Sequence, residues 1–248
     1  LNKFETISSP TWSPDGRTIA FEVFHRNYVD IYLVDVNCVN TASGCMANIR
    51  PITSSRSGWF IHPDWSPDGQ KIVYVYRVFV HGSSANQIWT MNADGTNPTR
   101  LTDIDGYYPT WSPDGNEIAF VYHESMYGDV FIMNQDGSNI HQLTELLTDS
   151  SSPSWSPDGE WLIVESMDDK DTFEPSFIPT LFKVRADGSE VIRLGDGIWA
   201  AWSPDGEMIA FSSYASLWFM DANGMHPEKV GEINPLGPIC WQPNIITP

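Results

Sequence analysis

Aromatic side chains are the first residues of this sequence that could bind a ligand. They are Trp59, His62, Tyr107, Tyr108 and Trp199, and each lies shortly before a repeated Trp-Ser-Pro-Asp-Gly motif. Aromatic faces can stack on sugar rings or receive apolar peptide side chains. The corresponding places hold Ser8–Ser9 and Ser151–Ser152, so the pattern does not require an aromatic residue there. We predict that the five residues form a ligand-binding surface; the alternative is that they only fill the interior.

Histidines offer a second kind of chemistry. Four of them fall in predicted loops: His25, His62, His81 and His123, with Glu124 beside the last. Imidazoles with a carboxylate could hold a divalent metal in a lyase-like enzyme. Because no pair has the spacing of a metal-ligand motif, the alternative is four solvated loop histidines, and we expect no resident cofactor or metal.

An acidic run, Asp168–Asp171, is followed by Phe173 and Glu174. Carboxylates in a loop could hold calcium, but the run lacks the glycine and the distal glutamate of an EF-hand loop. A solvated loop is the expected state. We place Asp168, Asp171 and Phe173 at the rim of the aromatic surface.

Catalytic motifs are absent from the sequence. It has no Gly-x-Ser-x-Gly, Gly-x-x-x-x-Gly-Lys, His-Glu-x-x-His or Gly-x-Gly-x-x-Gly segment. The sequence therefore favours a noncatalytic binding module over an enzyme. A polysaccharide-acting enzyme with histidines at its site remains the alternative, and a structural component of a surface assembly is a third possibility.

The elements that must position these residues are repeats. Trp-Ser-Pro-Asp-Gly occurs five times, starting at Trp12, Trp65, Trp111, Trp155 and Trp202. The intervals are 53, 46, 44 and 47 residues, and a degraded sixth copy begins at Trp241. This period is typical of one four-stranded blade of a β-propeller.

Each repeat predicts four strands, which we name a to d. Strand a ends at the tryptophan, and strand b is an apolar run such as Ile118-Ala119-Phe120, predicted to be buried on both faces. Strand c, such as Val130–Met133, leads to an Asp-Gly or Asn-Gly dipeptide typical of tight turns. The a–b and c–d turns share one face. The variable b–c and d–a loops share the other, where we place the binding surface.

Charge and hydropathy exclude two classes of protein. Lys plus Arg number 13 against 32 Asp plus Glu, a net charge of −19, which disfavours nucleic-acid binding. No apolar run approaches 18 residues, so we expect neither a membrane span nor a signal peptide. The acidity favours a cationic or neutral partner.

The Trp-Ser-Pro-Asp-Gly copies, the Ile-Ala-Phe strands and the Asn-x-Asp-Gly turns resemble the propeller repeats of the TolB family. The resemblance covers nearly the whole chain. It implies an all-β propeller, taken as one domain over 1–248. From the variable loops and the aromatic residues we predict that this propeller binds a protein, peptide or glycan outside the cytoplasm. Similar repeats occur in prolyl-oligopeptidase-type and oligogalacturonate-lyase-like proteins, so the repeat alone does not assign function.

The two ends predict an incomplete sixth blade. Leu1–Ile7 suits a d strand and Pro238–Trp241 an a strand, giving six blade positions with five complete; a closed five-bladed ring is the alternative. We further predict a disulfide between Cys38 and Cys45, which flank the one c–d connection without an Asp-Gly turn. Cys240 is predicted to be a buried thiol.

Overall fold

A computed structural model gives the fold of the chain. It describes residues 6–37, 48–54, 58–80, 83–123, 128–145, 153–166, 179–232 and 239–243. Within these ranges the regular structure is dominated by β-strands, which confirms the all-β fold class. The same ranges contain no helix that is long and apolar enough to cross a membrane.

The chain divides into two compact units. The first comprises Leu1–Pro109 with Gln242–Pro248, and the second comprises Thr110–Trp241.

The first unit contains one sheet made of two antiparallel groups. The strands of the first group are β1 (Thr6–Trp12), β2 (Thr18–Phe24), β3 (Val29–Asp35) and β4 (Ile49–Pro51). Those of the second are β5 (Gly58–Trp65), β6 (Lys71–Val80), β7 (Ser83–Asn92) and β8 (Thr99–Arg100). A single parallel pair, Val29 with Trp59, joins β3 to β5. The β6–β7 hairpin is the longest, with ten residues in each strand.

Three antiparallel sheets of four strands follow. The first consists of β9 (Tyr107–Trp111), β10 (Glu117–His123), β11 (Gly128–Asn134) and β12 (His141–Gln142). The second consists of β13 (Ser154–Trp155), β14 (Trp161–Ser166), β15 (Thr180–Arg185) and β16 (Val191–Asp196). The third consists of β17 (Ile198–Trp202), β18 (Met208–Ser213), β19 (Ser216–Asp221) and β20 (Glu228–Glu232). The boundary between the two units falls within β9.

The repeated motif encodes the turn between strands a and b. In the third repeat, the Ser112 hydroxyl donates to Asp114 at 2.6 Å and accepts the N–H of Glu117 at 2.9 Å. The N–H of Gly115 donates to the Ser112 carbonyl at 2.9 Å, and Gly115 has a φ of 74°. The motif glycines at 16, 69, 159 and 206 also have positive φ, so all five repeats form the same kind of turn.

Strand b of each repeat is buried in the core. In β10, Ile118, Ala119, Phe120 and Val121 are completely buried, as expected for a strand covered on both faces. One cluster packs Ala119 and Val130 against Leu162 and Val164 of the next sheet. Consecutive sheets within a unit therefore bury their apolar faces against each other.

The chain ends differ from the sequence predictions. Ile7 pairs with Val23, so it belongs to β1 and not to a separate d strand. Residues 239–243 form no strand, and Cys240 is exposed rather than buried. Cys38 and Cys45 lie outside the described residues, so the disulfide stays a prediction.

Candidate functional site

The candidate site is organised by a bulge in strand a. The pairing of this strand with strand b shifts register between Ser8 and Thr11, between Ile61 and Asp64, and between Ile198 and Ala201. The residue three places before the motif tryptophan then has a left-handed backbone. These residues and their φ angles are Ser9 (47°), His62 (52°), Tyr108 (50°) and Trp199 (54°). A bulge re-aims a side chain, and a left-handed non-glycine residue stores strain.

Because of this bulge, the candidate aromatic residues lie within strands and not in the predicted loops. Trp59 and His62 lie inside β5, Tyr107 and Tyr108 inside β9, and Trp199 inside β17, whereas the sequence placed them in loops before strand a. The extra residues of the bulge interrupt the alternation of inward-facing and outward-facing side chains. The first half of strand a therefore lacks the alternating pattern from which a strand is predicted.

Two buried glutamates support the left-handed residues. Glu22 is 2% exposed; its Oε1 accepts the N–H of His62 at 2.6 Å, and its Oε2 accepts the Ser8 hydroxyl at 2.6 Å. Glu165, also 2% exposed, accepts the N–H of Trp199 in the second unit. Both glutamates occupy the fourth position of a strand-b run, where the other repeats have Val75, Val121 and Ser212. Neither glutamate is among the residues predicted from the sequence, although a charged residue within an apolar run is a signal of a special role.

His62 is an uncharged aromatic surface at neutral pH. Its ring stacks on Tyr108 with centroids 4.0 Å apart, and its Nδ1 is buried without a hydrogen-bond partner in the described part of the chain. Burial lowers the pKa of His62 to about 4, the Glu22 carboxylate opposes this shift, and the Arg77 guanidinium reinforces it. The imidazole therefore adds contact area but no charge at pH 7.

A row of side chains crosses β5, β6 and β7 beside this stack. Trp59 pairs with Arg77, and Arg77 pairs with Asn86. The guanidinium lies 5.3 Å from the centroid of the Trp59 ring, and its Nε donates to Oδ1 of Asn86. Asn86 is 2% exposed and donates from Nδ2 to the Tyr107 hydroxyl at 2.7 Å. Phe79, 52% exposed, packs edge-on against Trp59 at 5.4 Å.

We call this set the aromatic platform: Trp59, His62, Arg77, Phe79, Tyr107 and Tyr108. The structure thus brings together four of the residues predicted from the sequence and adds Arg77 and Phe79. Trp199 belongs to the second unit. The predicted rim residues Asp168, Asp171 and Phe173 lie outside the described residues, as do His81 and Glu124.

Two of the other candidate histidines, His25 and His123, contact residues of their own hairpins. His25 stacks on Tyr28 at 4.4 Å, and His123 pairs with Gly128 at the end of β10. No group of three or more His, Cys, Asp or Glu side chains within the described ranges could hold a metal ion.

A cleft of about 790 Å³ lies on the other face of the first unit, among the a–b and c–d turns. Its lining includes Asp15, Asp68 and Asp94 with Arg50. Most of these are residues of the repeated turns, which serve the fold in every repeat. The cleft therefore provides a useful control surface for the platform.

The chain is similar to known proteins in both sequence and fold. A family model described as the TolB β-propeller domain matches residues 1–224. An uncharacterized protein of Agrobacterium fabrum is 30% identical over 163 residues, which covers 60% of this chain and 51% of that protein. The crystal structure of TolB from Acinetobacter baumannii has a TM-score of 0.71 and 22% identity over 96% of this chain and 58% of that one.

Enzymes share the fold at lower identity. Oligogalacturonate lyase from Vibrio parahaemolyticus has a TM-score of 0.63 and 13% identity, over 90% of this chain and 65% of that one. Such identity shows the fold alone. The chain spans about half the length of the Agrobacterium relative and less than two thirds of the Acinetobacter structure.

Proposed function

Because the chain belongs to the TolB β-propeller domain family, we propose that it is a noncatalytic module that binds a protein partner outside the cytoplasm through the aromatic platform. The observation that carries this proposal is the edge-on packing of the exposed Phe79 ring, on the β6–β7 hairpin, against Trp59. Partly exposed aromatic side chains that are already held in place supply contact area at little conformational cost.

Hydrogen bonds and ring stacking hold the side chains of the platform in place. Glu22 holds the backbone of His62, and the stacked Tyr108 restricts its ring. Asn86 restrains both Arg77 and Tyr107. Pre-organised side chains lose less entropy on binding, and buried aromatic and arginine residues dominate binding energy at interfaces. Trp199, held by Glu165 in the second unit, is a separate candidate anchor of the same kind.

The experiment begins with partner capture. The chain serves as cross-linking bait in an extracytoplasmic extract of its source, and the Kd of the purified partner is then measured. Phe79→Ser tests the platform with little risk to folding, because the ring is half exposed. Trp59→Ala tests the half-buried anchor, with circular dichroism as the folding check. Loss of a buried aromatic anchor typically costs about 2 kcal/mol, or roughly 30-fold in Kd.

Control variants change residues that lie outside the platform. Tyr214, 72% exposed at the β18–β19 turn of the second unit, is a large exposed aromatic whose replacement by alanine should leave the Kd unchanged. Arg50→Gln reports on the cleft of the turn face. Unchanged affinity in folded Trp59→Ala and Phe79→Ser, together with weakened binding in Arg50→Gln, would move the site to the opposite face.

The blade count belongs to the same proposal: five complete blades and a sixth position. Trp241, the tryptophan of the degraded sixth repeat, donates from Nε1 to the Ala201 carbonyl at 3.1 Å, and its ring lies 5.5 Å from Phe219. Trp202 similarly lies 5.2 Å from Lys183, the counterpart of Phe219. A crystal structure with the β17–β20 sheet packed directly on the β1–β4 sheet would establish a closed five-bladed ring instead.

A further inference from the structure

We propose that Arg77 is a carboxylate-recognition residue, and that the partner inserts an aspartate or glutamate side chain, flanked by an apolar residue, against the aromatic platform. This inference rests on the proposed protein-binding function and names the chemistry of the partner. It contrasts with the cationic or neutral partner that the net charge alone would favour.

Arg77 is held by a neutral side chain, Asn86, and not by an acidic one. Within the described part of the chain Arg77 forms no ion pair, although Asp and Glu outnumber Lys and Arg by 32 to 13. Its recorded contacts are the neutral Asn86 amide and the Trp59 ring. An aspartate at position 86 would neutralise the guanidinium. The asparagine holds the guanidinium in position while leaving its charge available.

The terminal nitrogens of the guanidinium are the donors that a ligand could use. Asn86 accepts from Nε, and no described residue accepts a hydrogen bond from the two terminal nitrogens. Arginine can bind a carboxylate through two parallel N–H donors, which gives directional recognition as well as attraction. Trp59 packs against the guanidinium from one side and limits its rotamers.

The neighbouring acids are already engaged. Glu22 accepts hydrogen bonds from Ser8 and from the N–H of His62. Asp105 accepts the backbone N–H of Asn86 at 2.8 Å. These carboxylates accept hydrogen bonds from neutral groups, and neither is ion-paired with Arg77. His62 is neutral at pH 7. Arg77 is thus the cationic member of the platform.

The repeat itself does not require this pair of residues. The positions equivalent to Arg77 and Asn86 hold Phe24 with Val29 in the first repeat, and His123 with Gly128 in the third. A fold-determining pair would recur as the turn residues do. Arg77 and Asn86 are instead specific to the second repeat, which also carries the extended hairpin.

The first test uses a matched pair of small probes. The binding of 3-phenylpropionate and of 3-phenylpropanamide to the full chain is measured by NMR titration. The carboxylate should bind at least about 10-fold more tightly than the amide, since charge-assisted hydrogen bonds are stronger than neutral ones. Arg77→Gln should abolish this preference, Arg77→Lys should retain part of it, and Arg50→Gln, which removes the same charge elsewhere, should leave it intact.

The second test identifies the source of the carboxylate. A displayed library of random 12-residue peptides is selected on the wild-type chain and on Arg77→Gln. Wild type should enrich Asp or Glu beside an aromatic or aliphatic residue, and the variant should lose that enrichment. Because the net charge of −19 repels acidic peptides at long range, their association rate should rise between 0.05 and 0.3 M salt, roughly the range over which screening shortens from more than 10 Å to several ångströms.

The outcomes separate this inference from the proposed function. Selected peptides that compete with one another, depend on Trp59 and Phe79, and lack acidic residues would overturn carboxylate recognition while supporting the binding platform. Failure to select any peptide that depends on the platform would overturn both. Binding of trigalacturonate that depends on Arg77, without any acidic peptide, would assign the carboxylate to a sugar acid and overturn the peptide proposal.

Discussion

Glu22 and His62 are joined by a hydrogen bond that links two consecutive repeats. The buried carboxylate accepts the backbone N–H of His62 at 2.6 Å, and His62 follows Glu22 by 40 positions. The backbone of His62 is left-handed, with a φ of 52°. The glutamate therefore satisfies an amide in a strained strand that has lost its regular ladder partner.

Glu22→Ala should lower the free energy of unfolding by about 1–3 kcal/mol, because it leaves the His62 N–H without its acceptor in a buried setting. Glu22→Gln should lose less, since its amide oxygen can still accept that bond. Urea unfolding followed by tryptophan fluorescence measures both. Glu207→Ala, at an exposed glutamate, is the control and should change stability by less than about 0.5 kcal/mol. An equal effect of Glu22→Ala and Glu207→Ala would contradict the supporting role of Glu22.

Ser9 provides a test of the strain in the bulge. It has a φ of 47° and a small side chain, so Ser9→Gly changes little except backbone freedom. Glycine avoids the left-handed penalty of about 1–2 kcal/mol but loses more entropy on folding, so we expect a net gain of about 0.5 kcal/mol. Ser9→Val should destabilise by about 1 kcal/mol or more. If the valine variant were as stable as the glycine variant, the bulge would not be strained.

His62 should make stability depend on pH between about 6.5 and 4. Burial lowers its pKa to about 4, whereas the unfolded chain protonates near 6.5, so the unfolded state binds more protons in this window. This contribution to stability is fully present above pH 6.5 and is lost as the pH falls towards 4. His62→Phe keeps an aromatic ring and should flatten the dependence. Urea unfolding at pH 7.5, 6, 5 and 4 tests this, and identical slopes in both proteins would contradict it.

The aspartates of the repeated turns should make stability depend on pH in a lower pH range than His62 does. Hydrogen bonds from the Ser112 hydroxyl and the Asn116 N–H lower the pKa of Asp114 below its usual 3.8. Its contribution is therefore present above pH 3.8 and is lost as the pH falls through the lower folded-state pKa. Asp114→Asn should reduce the loss of stability between pH 4 and pH 2. Asp103→Asn, at an exposed aspartate outside these turns, serves as the control, and a matching reduction there would refute the assignment.

The three cysteines should differ in reactivity. Cys240 is exposed and free, so a thiol reagent should label it in the native, unreduced protein. If Cys38 and Cys45 form the predicted disulfide, mass spectrometry should find them labelled only after reduction. Three labels per unreduced, unfolded chain would show that the disulfide is absent. Cys240 serves as the internal control for reagent activity.

The repeat and its turns follow from contacts between residues that are close together in the sequence. Ser112, Asp114, Gly115 and Glu117 lie within six consecutive positions, and their hydrogen bonds close a turn using only local contacts. The apolar runs of strand b likewise predict burial, because burial on both faces requires an uninterrupted apolar sequence. Residue type and position in the repeat identified Trp59, His62, Tyr107 and Tyr108 as candidate site residues.

The contacts that hold those aromatic residues, and the residues that surround them, come from parts of the chain that are distant in sequence. Glu22 reaches His62 across 40 positions, and Arg77 meets Trp59 and Asn86 through strand pairing, which no short-range pattern encodes. The bulge in strand a breaks the two-residue alternation on which strand prediction depends. For that reason the residues that bear the candidate site were expected in loops, whereas the fold places them inside its strands.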